Sequence, residues 1–184
     1  HHYYVRIIEK PSKDLLMKTI YLRYIAALVI SFSNEFFYFI FSPLTLYTSY
    51  GITSLFYEVS LEGNKLIFDS VSFSFIPACT AATAYLLLAA LIFVTRGISW
   101  RKGINMFFIG ATAIFTMNIL RILTLILVYL HLGKNYFDTL HLLMWYLVST
   151  LFVVIVWIFL TKKYKIKSIP IYSDIQWLLR QRKS

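Results

Sequence analysis

Four long apolar stretches, separated by more polar segments, dominate the chain. They cover residues 20–41, 76–95, 104–132 and 139–161. A helix needs roughly 20 apolar residues to cross the hydrocarbon core of a bilayer. Helices are the expected form for such runs, because a bilayer interior offers the backbone no water to hydrogen-bond. The pattern therefore predicts an all-α integral membrane protein, a bundle of four transmembrane helices.

Residues 42–75, between the first two apolar stretches, predict a different kind of structure. Residues 43–57 are apolar and aromatic, which indicates an interfacial helix or a re-entrant segment. Glu62-Gly63-Asn64 is then a turn signal between two short alternating runs, 57–61 and 65–75. This arrangement predicts a β-hairpin between helices 1 and 2. The hairpin is either a packed cap on the bundle or an edge that pairs with an extended peptide.

The composition supports a membrane protein and excludes several other classes. The 184 residues are 59% hydrophobic and only 14% charged, more apolar surface than a soluble domain of this length hides. The net charge of +10 does not indicate nucleic acid, because the basic residues cluster at the ends of the apolar stretches. A single cysteine excludes an intramolecular disulfide and a CxxC metal site. We expect no metal and no cofactor.

The distribution of lysine and arginine predicts the topology. They are concentrated in residues 1–19, in the connection 95–103 and in the tail 162–184, whereas segments 42–75 and 133–138 carry one lysine each beside acidic residues. By the positive-inside rule, both termini face the cytoplasm and the hairpin is extracytoplasmic. The first apolar stretch has no small-residue cleavage site, so we expect no cleavable signal peptide. The whole chain is predicted to be one multi-pass domain in the cell membrane.

Cys79, the only cysteine, opens the second apolar stretch just after Pro77. Proline favours the first turn of a helix, so Cys79 is expected within the first turn of the second span, at its outer end. The helix dipole and the free backbone N–H groups there favour a thiolate. The alternative is an inert role as a small buried hydrophobic side chain.

Arg121 interrupts the third apolar stretch. It lies about 11 residues, or roughly 16 Å, from the end of the stretch at Leu132, and a charge at such depth costs at least ~2.5 kcal/mol. Asn118 shares its helical face. This cost must be compensated by a nearby anion, by a cavity or by a functional role of the arginine. The alternatives are snorkelling to the interface and an ion pair with Glu35.

His141 lies near the outer start of the fourth stretch, three residues after Asp138. Asp138 is expected to be the helix N-cap, or else to orient the His141 ring. A structural role for His141 is the alternative to a catalytic one. The predicted topology brings Cys79, Arg121 and His141 to the outer half of the bundle. A thiolate paired with an imidazole is an activated nucleophile, and a guanidinium nearby stabilises an oxyanion or the thiolate.

The chain resembles the exosortase/archaeosortase family of membrane-embedded cysteine transpeptidases over residues 55–160. The resemblance rests on Pro77-Ala78-Cys79-Thr80-Ala81, on Asn118-Ile119-Leu120-Arg121-Ile122 and on His141 in the next span. It implies that Cys79 is the nucleophile, His141 the general base and acid, and Arg121 the group that stabilises charge. Thr80, Asn118 and Asp138 are candidate supporting residues.

The resemblance also implies a substrate and an acceptor. Cys79 would attack a peptide bond near the C-terminus of a secreted protein whose tail carries a short motif, a transmembrane helix and a basic cluster. The acyl group would then pass to an amine-bearing acceptor, often a lipid, and membrane lipids would surround the enzyme. Many bacterial members have Ser-Gly where this chain has Thr80-Ala81, and many are longer. The compact form is closer to short archaeal members, so the predicted location is the cell membrane of an archaeon or bacterium, with the active site outside.

Two other classes of function compete with the enzyme. One is a non-catalytic membrane assembly or chaperone module, in which Arg121 and His141 are structural polar contacts. The other is a small carrier or channel with Arg121 in its pathway. The second and fourth stretches consist mostly of leucine, alanine, valine and phenylalanine. They lack the polar stripe that a pore requires, so the channel is disfavoured.

Overall fold

A computed structural model describes residues 18, 21–28, 34–69, 71–95, 97–144 and 149–166. The described part is mostly helical, with one small sheet. The helices are α1 (Asn34–Thr53), α2 (Ala82–Val94), α3 (Trp100–Leu132), α4 (Lys134–Leu143) and α5 (Ser149–Lys163), and the strands are β1 (Ser60–Glu62), β2 (Lys65–Phe68) and β3 (Val71–Ser74). A short 3₁₀ helix, Pro77–Thr80, precedes α2, and residues 21–28 are also helical.

Within the described ranges, α3 is the one helix long and apolar enough to cross a membrane. Its 33 residues span roughly 50 Å, which exceeds the ~30 Å of hydrocarbon in a typical bilayer. The predicted span 104–132 lies inside it. By contrast, the 13 residues of α2 span only roughly 20 Å. The count of four spans stays a prediction.

The other helix bounds differ from those of the predicted spans. Helix α1 runs through Pro43 to Thr53. The helix therefore continues past residue 41 into the segment 43–57, and where the first span ends in the membrane stays a prediction. Proline removes a single helical hydrogen bond, and membrane helices tolerate that loss where neighbouring groups compensate. The range 139–161 contains parts of two helices, α4 and α5. Residues 29–33 and 145–148, most of the segment 1–19 and residues 167–184 of the tail lie outside the described residues.

The predicted hairpin is present as β1 and β2, joined at Gly63 and Asn64. Glu62 pairs with Lys65, and Gly63 has a φ of 60°. The prediction of one continuous second strand is wrong, because Asp69 takes a φ of 40° and the run divides into β2 and β3. The result is an antiparallel sheet of order β1-β2-β3. The side of the membrane on which it lies stays a prediction.

The sheet packs against α1 and α3 through one face. Leu66, Phe68 and Phe75 are buried there with Leu46 of α1 and with Ile122 and Ile126 of α3, and Cys79 packs against this group. Burial of such side chains contributes about 1.5–3 kcal/mol each. This cluster therefore holds the residues that lead into Cys79 against the C-terminal third of the long helix.

A second core joins α1, α2, α3 and α5. Tyr85 and Leu88 of α2 are fully buried there, and the Tyr85 ring stacks on Phe41 with centroids 3.7 Å apart. Gly110 permits close approach of α3, since a Cβ there would lie 2.6 Å from a methyl group of Leu88. At the far end of α2, Arg23 donates hydrogen bonds to the carbonyl oxygens of Phe93 and Val94. Arg23 thus contacts the end of α2 that leads into the connection 95–103.

Candidate active site

Cys79 lies in a tight turn in front of α2, not on that helix. Its backbone N–H donates to the carbonyl oxygen of Ile76 at 2.8 Å, within the 3₁₀ helix. Ala81 then takes a left-handed conformation (φ 53°, ψ 28°), and α2 begins at Ala82. The prediction that Cys79 lies in the first turn of a long helix is wrong, because the left-handed residue separates the two helices. The side chain is half-buried and the thiol is free.

Ala81 makes the turn after the cysteine a strained one. A left-handed conformation costs an L-residue about 1–2 kcal/mol, whereas glycine adopts it freely. Many bacterial members of the family that the chain resembles have glycine at this position.

We expect Ala81→Gly to raise the free energy of unfolding by about 0.5–1 kcal/mol, because relief of the left-handed strain exceeds the added chain entropy. Ala84→Gly is the matched control. It makes the same change within α2, where it should lower stability by about 0.5–1 kcal/mol. Unfolding of the detergent-solubilised variants measures both effects. Equal destabilisation by the two substitutions would contradict the left-handed assignment.

Asn118 joins the cysteine turn to α3. Its Nδ2 donates to the carbonyl oxygen of Cys79 at 2.8 Å, and the side chain is only 4% exposed. In the described part of the chain, Oδ1 of the same amide has no hydrogen-bond partner. The sequence predicted only that Asn118 shares a helical face with Arg121. Its contact with the nucleophile's own backbone comes from the tertiary structure.

Arg121 lies one turn further along α3 and is buried, with 7% of its surface exposed. It is directed into the bundle, which removes the snorkelling alternative. Glu35, the carboxylate considered as its partner, is exposed in the first turn of α1. The guanidinium interacts electrostatically with the Cys79 thiol and also with the His141 ring. A buried cation thus lies within electrostatic range of both candidate catalytic groups.

His141 lies on α4, eight residues before the first residue of α5. Its ring stacks on Phe137, four residues earlier, with centroids 5.5 Å apart. Its Nδ1 is buried and has no hydrogen-bond partner among the described residues. Asp138 is not the N-cap, since α4 begins after Gly133 and Asp138 lies inside it. The exposed Asp138 carboxylate still interacts electrostatically with His141.

The three predicted site residues are therefore brought within electrostatic range, with Arg121 interacting with the other two. Between the Cys79 thiol and the His141 ring, no hydrogen bond is present within the described ranges. Catalytic hydrogen bonds are often long before substrate binds.

Thr80 is fully buried beside the cysteine. In the described part of the chain, no three side chains of the His, Cys, Asp and Glu types group as a metal site.

Aromatic rings connect the sheet to the histidine. Phe73 of β3 contacts Phe137, with centroids 6.2 Å apart, and Phe137 in turn stacks on His141. Tyr129 of α3 packs against both phenylalanines. Sequence reasoning missed this cluster. The four-residue spacing of Phe137 and His141 on one helix was the available signal.

A small cleft of ≈ 30 Å³ lies beside the cysteine turn and is lined by Ala81, Asn118, Arg121 and five apolar residues. A volume of about 10–15 Å³ holds one water molecule, so the cleft accommodates roughly two. Cys79 and His141 are not in its lining. The cleft therefore belongs to the supporting side of the site, with Asn118 and Arg121 as its two polar lining residues.

Comparison with known proteins identifies the family. A family model described as transmembrane exosortase matches residues 16–161, well over half of the chain. The chain belongs to the transmembrane exosortase family. Membership confirms the resemblance drawn from the motifs and supports a membrane location, and exosortases are in general membrane cysteine transpeptidases. The matched range of this exosortase-family chain includes Cys79, Asn118, Arg121 and His141. No curated protein and no solved structure matches it.

Proposed function

We propose that the protein is a membrane-embedded cysteine transpeptidase. It cleaves the C-terminal sorting signal of secreted proteins and transfers the cleaved protein to an amine acceptor, a lipid or another amine. The observation that carries the proposal is the electrostatic grouping of Cys79, Arg121 and His141 in an exosortase-family chain. A thiol, an imidazole and a buried guanidinium are the groups that such an acyl transfer requires.

The first half of the reaction breaks the scissile amide. His141 takes the thiol proton of Cys79, and the thiolate attacks the carbonyl carbon. Arg121 stabilises the oxyanion of the tetrahedral intermediate. As the intermediate collapses, the C–N bond breaks and His141 returns the proton to the leaving amine. The C-terminal tail departs, and a thioester joins the secreted protein to Cys79.

The second half reverses these roles. An acceptor amine attacks the thioester carbonyl and gives its proton to His141. The C–S bond breaks, a new amide forms, and the thiolate is regenerated. Asn118 positions the nucleophile by donating a hydrogen bond to the Cys79 carbonyl oxygen. We assign Thr80 to support of the cysteine turn and Asp138 to support of the His141 ring. The sorting signal would enter from the extracytoplasmic side, with both termini of the enzyme in the cytoplasm.

A trapped thioester tests this proposal. Enzyme in liposomes is incubated with a peptide that carries a secreted-side segment, a transmembrane helix and a basic cluster. Mass spectrometry should find the N-terminal fragment attached to Cys79, and hydroxylamine should release it as a hydroxamate. Cleavage of the peptide without any adduct on Cys79 would contradict covalent catalysis.

A further inference from the structure

The free edge of β3 carries a further inference, which rests on the proposed function. We propose that the extended substrate segment beside the scissile bond binds as an added strand along this edge. Within the described ranges β3 pairs only with β2, because the sheet order is β1-β2-β3. Strand addition is a recurrent mode of peptide recognition, in which backbone hydrogen bonds supply much of the affinity.

The register shows which backbone groups face outward. The N–H of Phe75 donates to the carbonyl oxygen of Asn64 at 2.9 Å, one step beyond the pairing of Ser74 with Lys65. Hydrogen-bonded pairs alternate along an antiparallel ladder. Phe73, two residues earlier, therefore also points its N–H and C=O groups toward β2. The backbone groups of Ser72 and Ser74 point the other way, toward the free edge.

The described residues of β3 lack two of the features that commonly block strand pairing, a charge and a proline. Proteins protect exposed edges with charges, proline or bulges. The sequence of β3, Val-Ser-Phe-Ser, has neither a charge nor a proline, and Ser72 and Ser74 are exposed. The opposite edge, β1, ends in the charged residue Glu62.

The same strand is tied to both catalytic groups. Ser74 precedes Cys79 by five positions, so the two are at most about 17 Å apart along the chain. On the buried face, Phe73 contacts Phe137, which stacks on His141. A strand of about five residues laid on this edge reaches the cysteine turn. This continuity identifies the occupant as the substrate peptide next to its scissile bond.

Proline substitution tests the backbone contacts. Ser72→Pro removes an outward N–H while leaving the ladder with β2 intact, and we expect KM to rise about tenfold with kcat within twofold. Leu61→Pro is the matched control. Leu61 pairs with Leu66 and, by the same alternation, faces the outer edge of β1, so its KM should stay within twofold. Alkylation of Cys79 at the parental rate shows that the site is folded. An unchanged KM in Ser72→Pro, or an equal rise in both variants, overturns the inference.

Cross-linking tests the geometry without turnover and does not depend on the proline variants. The double variant Cys79→Ala, Ser74→Cys is incubated with peptides that carry one cysteine at successive positions around the scissile bond. Because a disulfide needs its two Cα atoms within about 7 Å, cross-linking should be strongest at the one peptide position opposite residue 74 and much weaker at its immediate neighbours, whose side chains lie on the other face. Uniform cross-linking, no cross-linking, or disulfides between two enzyme copies would overturn the assignment.

If Ser72→Pro still forms the Cys79 thioester at the parental rate, strand addition fails while the proposed function stands. If parental enzyme forms no thioester, the proposed function itself fails.

Discussion

Replacement of Cys79 by alanine is expected to abolish processing of the sorting signal, and replacement by serine to slow it at least about 1,000-fold. Alanine has no nucleophile, and the serine hydroxyl is far less ionised than a thiol at neutral pH. The loss should appear in kcat, measured as release of the C-terminal tail from a peptide in liposomes. Helix content and unfolding temperature should change little, because Cys79 is only half-buried.

Variants of Arg121 distinguish an enzyme from a non-catalytic assembly module. Arg121→Lys keeps a cation in the buried position and should fold, yet it should slow processing about 100-fold, since lysine does not reproduce the guanidinium geometry. If the protein is instead an assembly module, both Cys79 variants should leave processing unchanged, whereas Arg121→Ala should unfold the bundle. That combination of results would remove the enzymatic interpretation.

Replacement of His141 by alanine is expected to slow acylation of Cys79 by about 100- to 10,000-fold, the usual contribution of a positioned acid–base group. Without the imidazole, neither the thiol proton nor the leaving amine has a partner within the site. Stability should fall by less than about 1.5 kcal/mol, because the ring is half-buried and its main described contact is a single stack on Phe137. Single-turnover formation of the thioester measures the rate.

His131→Ala is the matched control for this experiment. His131 lies at the end of α3, where its Nε2 is 3.2 Å from the hydroxyl oxygen of Tyr57. It is exposed, and no chemical role is assigned to it. Thioester formation in this variant should stay within about twofold of the parent. Equal rates for parent and His141→Ala would remove the histidine from the mechanism.

Local signals explain the features of the fold that the sequence predicted. The long apolar run yielded α3, and Glu62-Gly63-Asn64 yielded the hairpin, because helix formation and tight turns depend on neighbouring residues. The extension of α1 through Pro43 was missed. Proline has a strong local preference against helix interiors, and here tertiary packing outweighs it. The break between β2 and β3 at Asp69 was missed for a similar reason, since the whole run alternates like one strand.

The candidate site shows the same division. Cys79, Arg121 and His141 were predicted because polar chemistry in an apolar stretch is costly and needs a reason. The left-handed Ala81 and the bond from Asn118 to the Cys79 carbonyl oxygen were not predictable. Alanine carries no signal for a left-handed backbone, and the bond joins residues 39 positions apart.

The sequence by itself determined a membrane protein, its helical character and the three residue types able to perform acyl transfer. Burial energies and motif spacing encode these properties locally, and the family match agrees with the membrane location. Only the tertiary structure decided that the cysteine lies in a turn before α2, that the buried Arg121 comes within electrostatic range of it, and that β3 leads into the site beside His141. Those relations depend on how separate helices and strands pack, and no single stretch of chain specifies that packing.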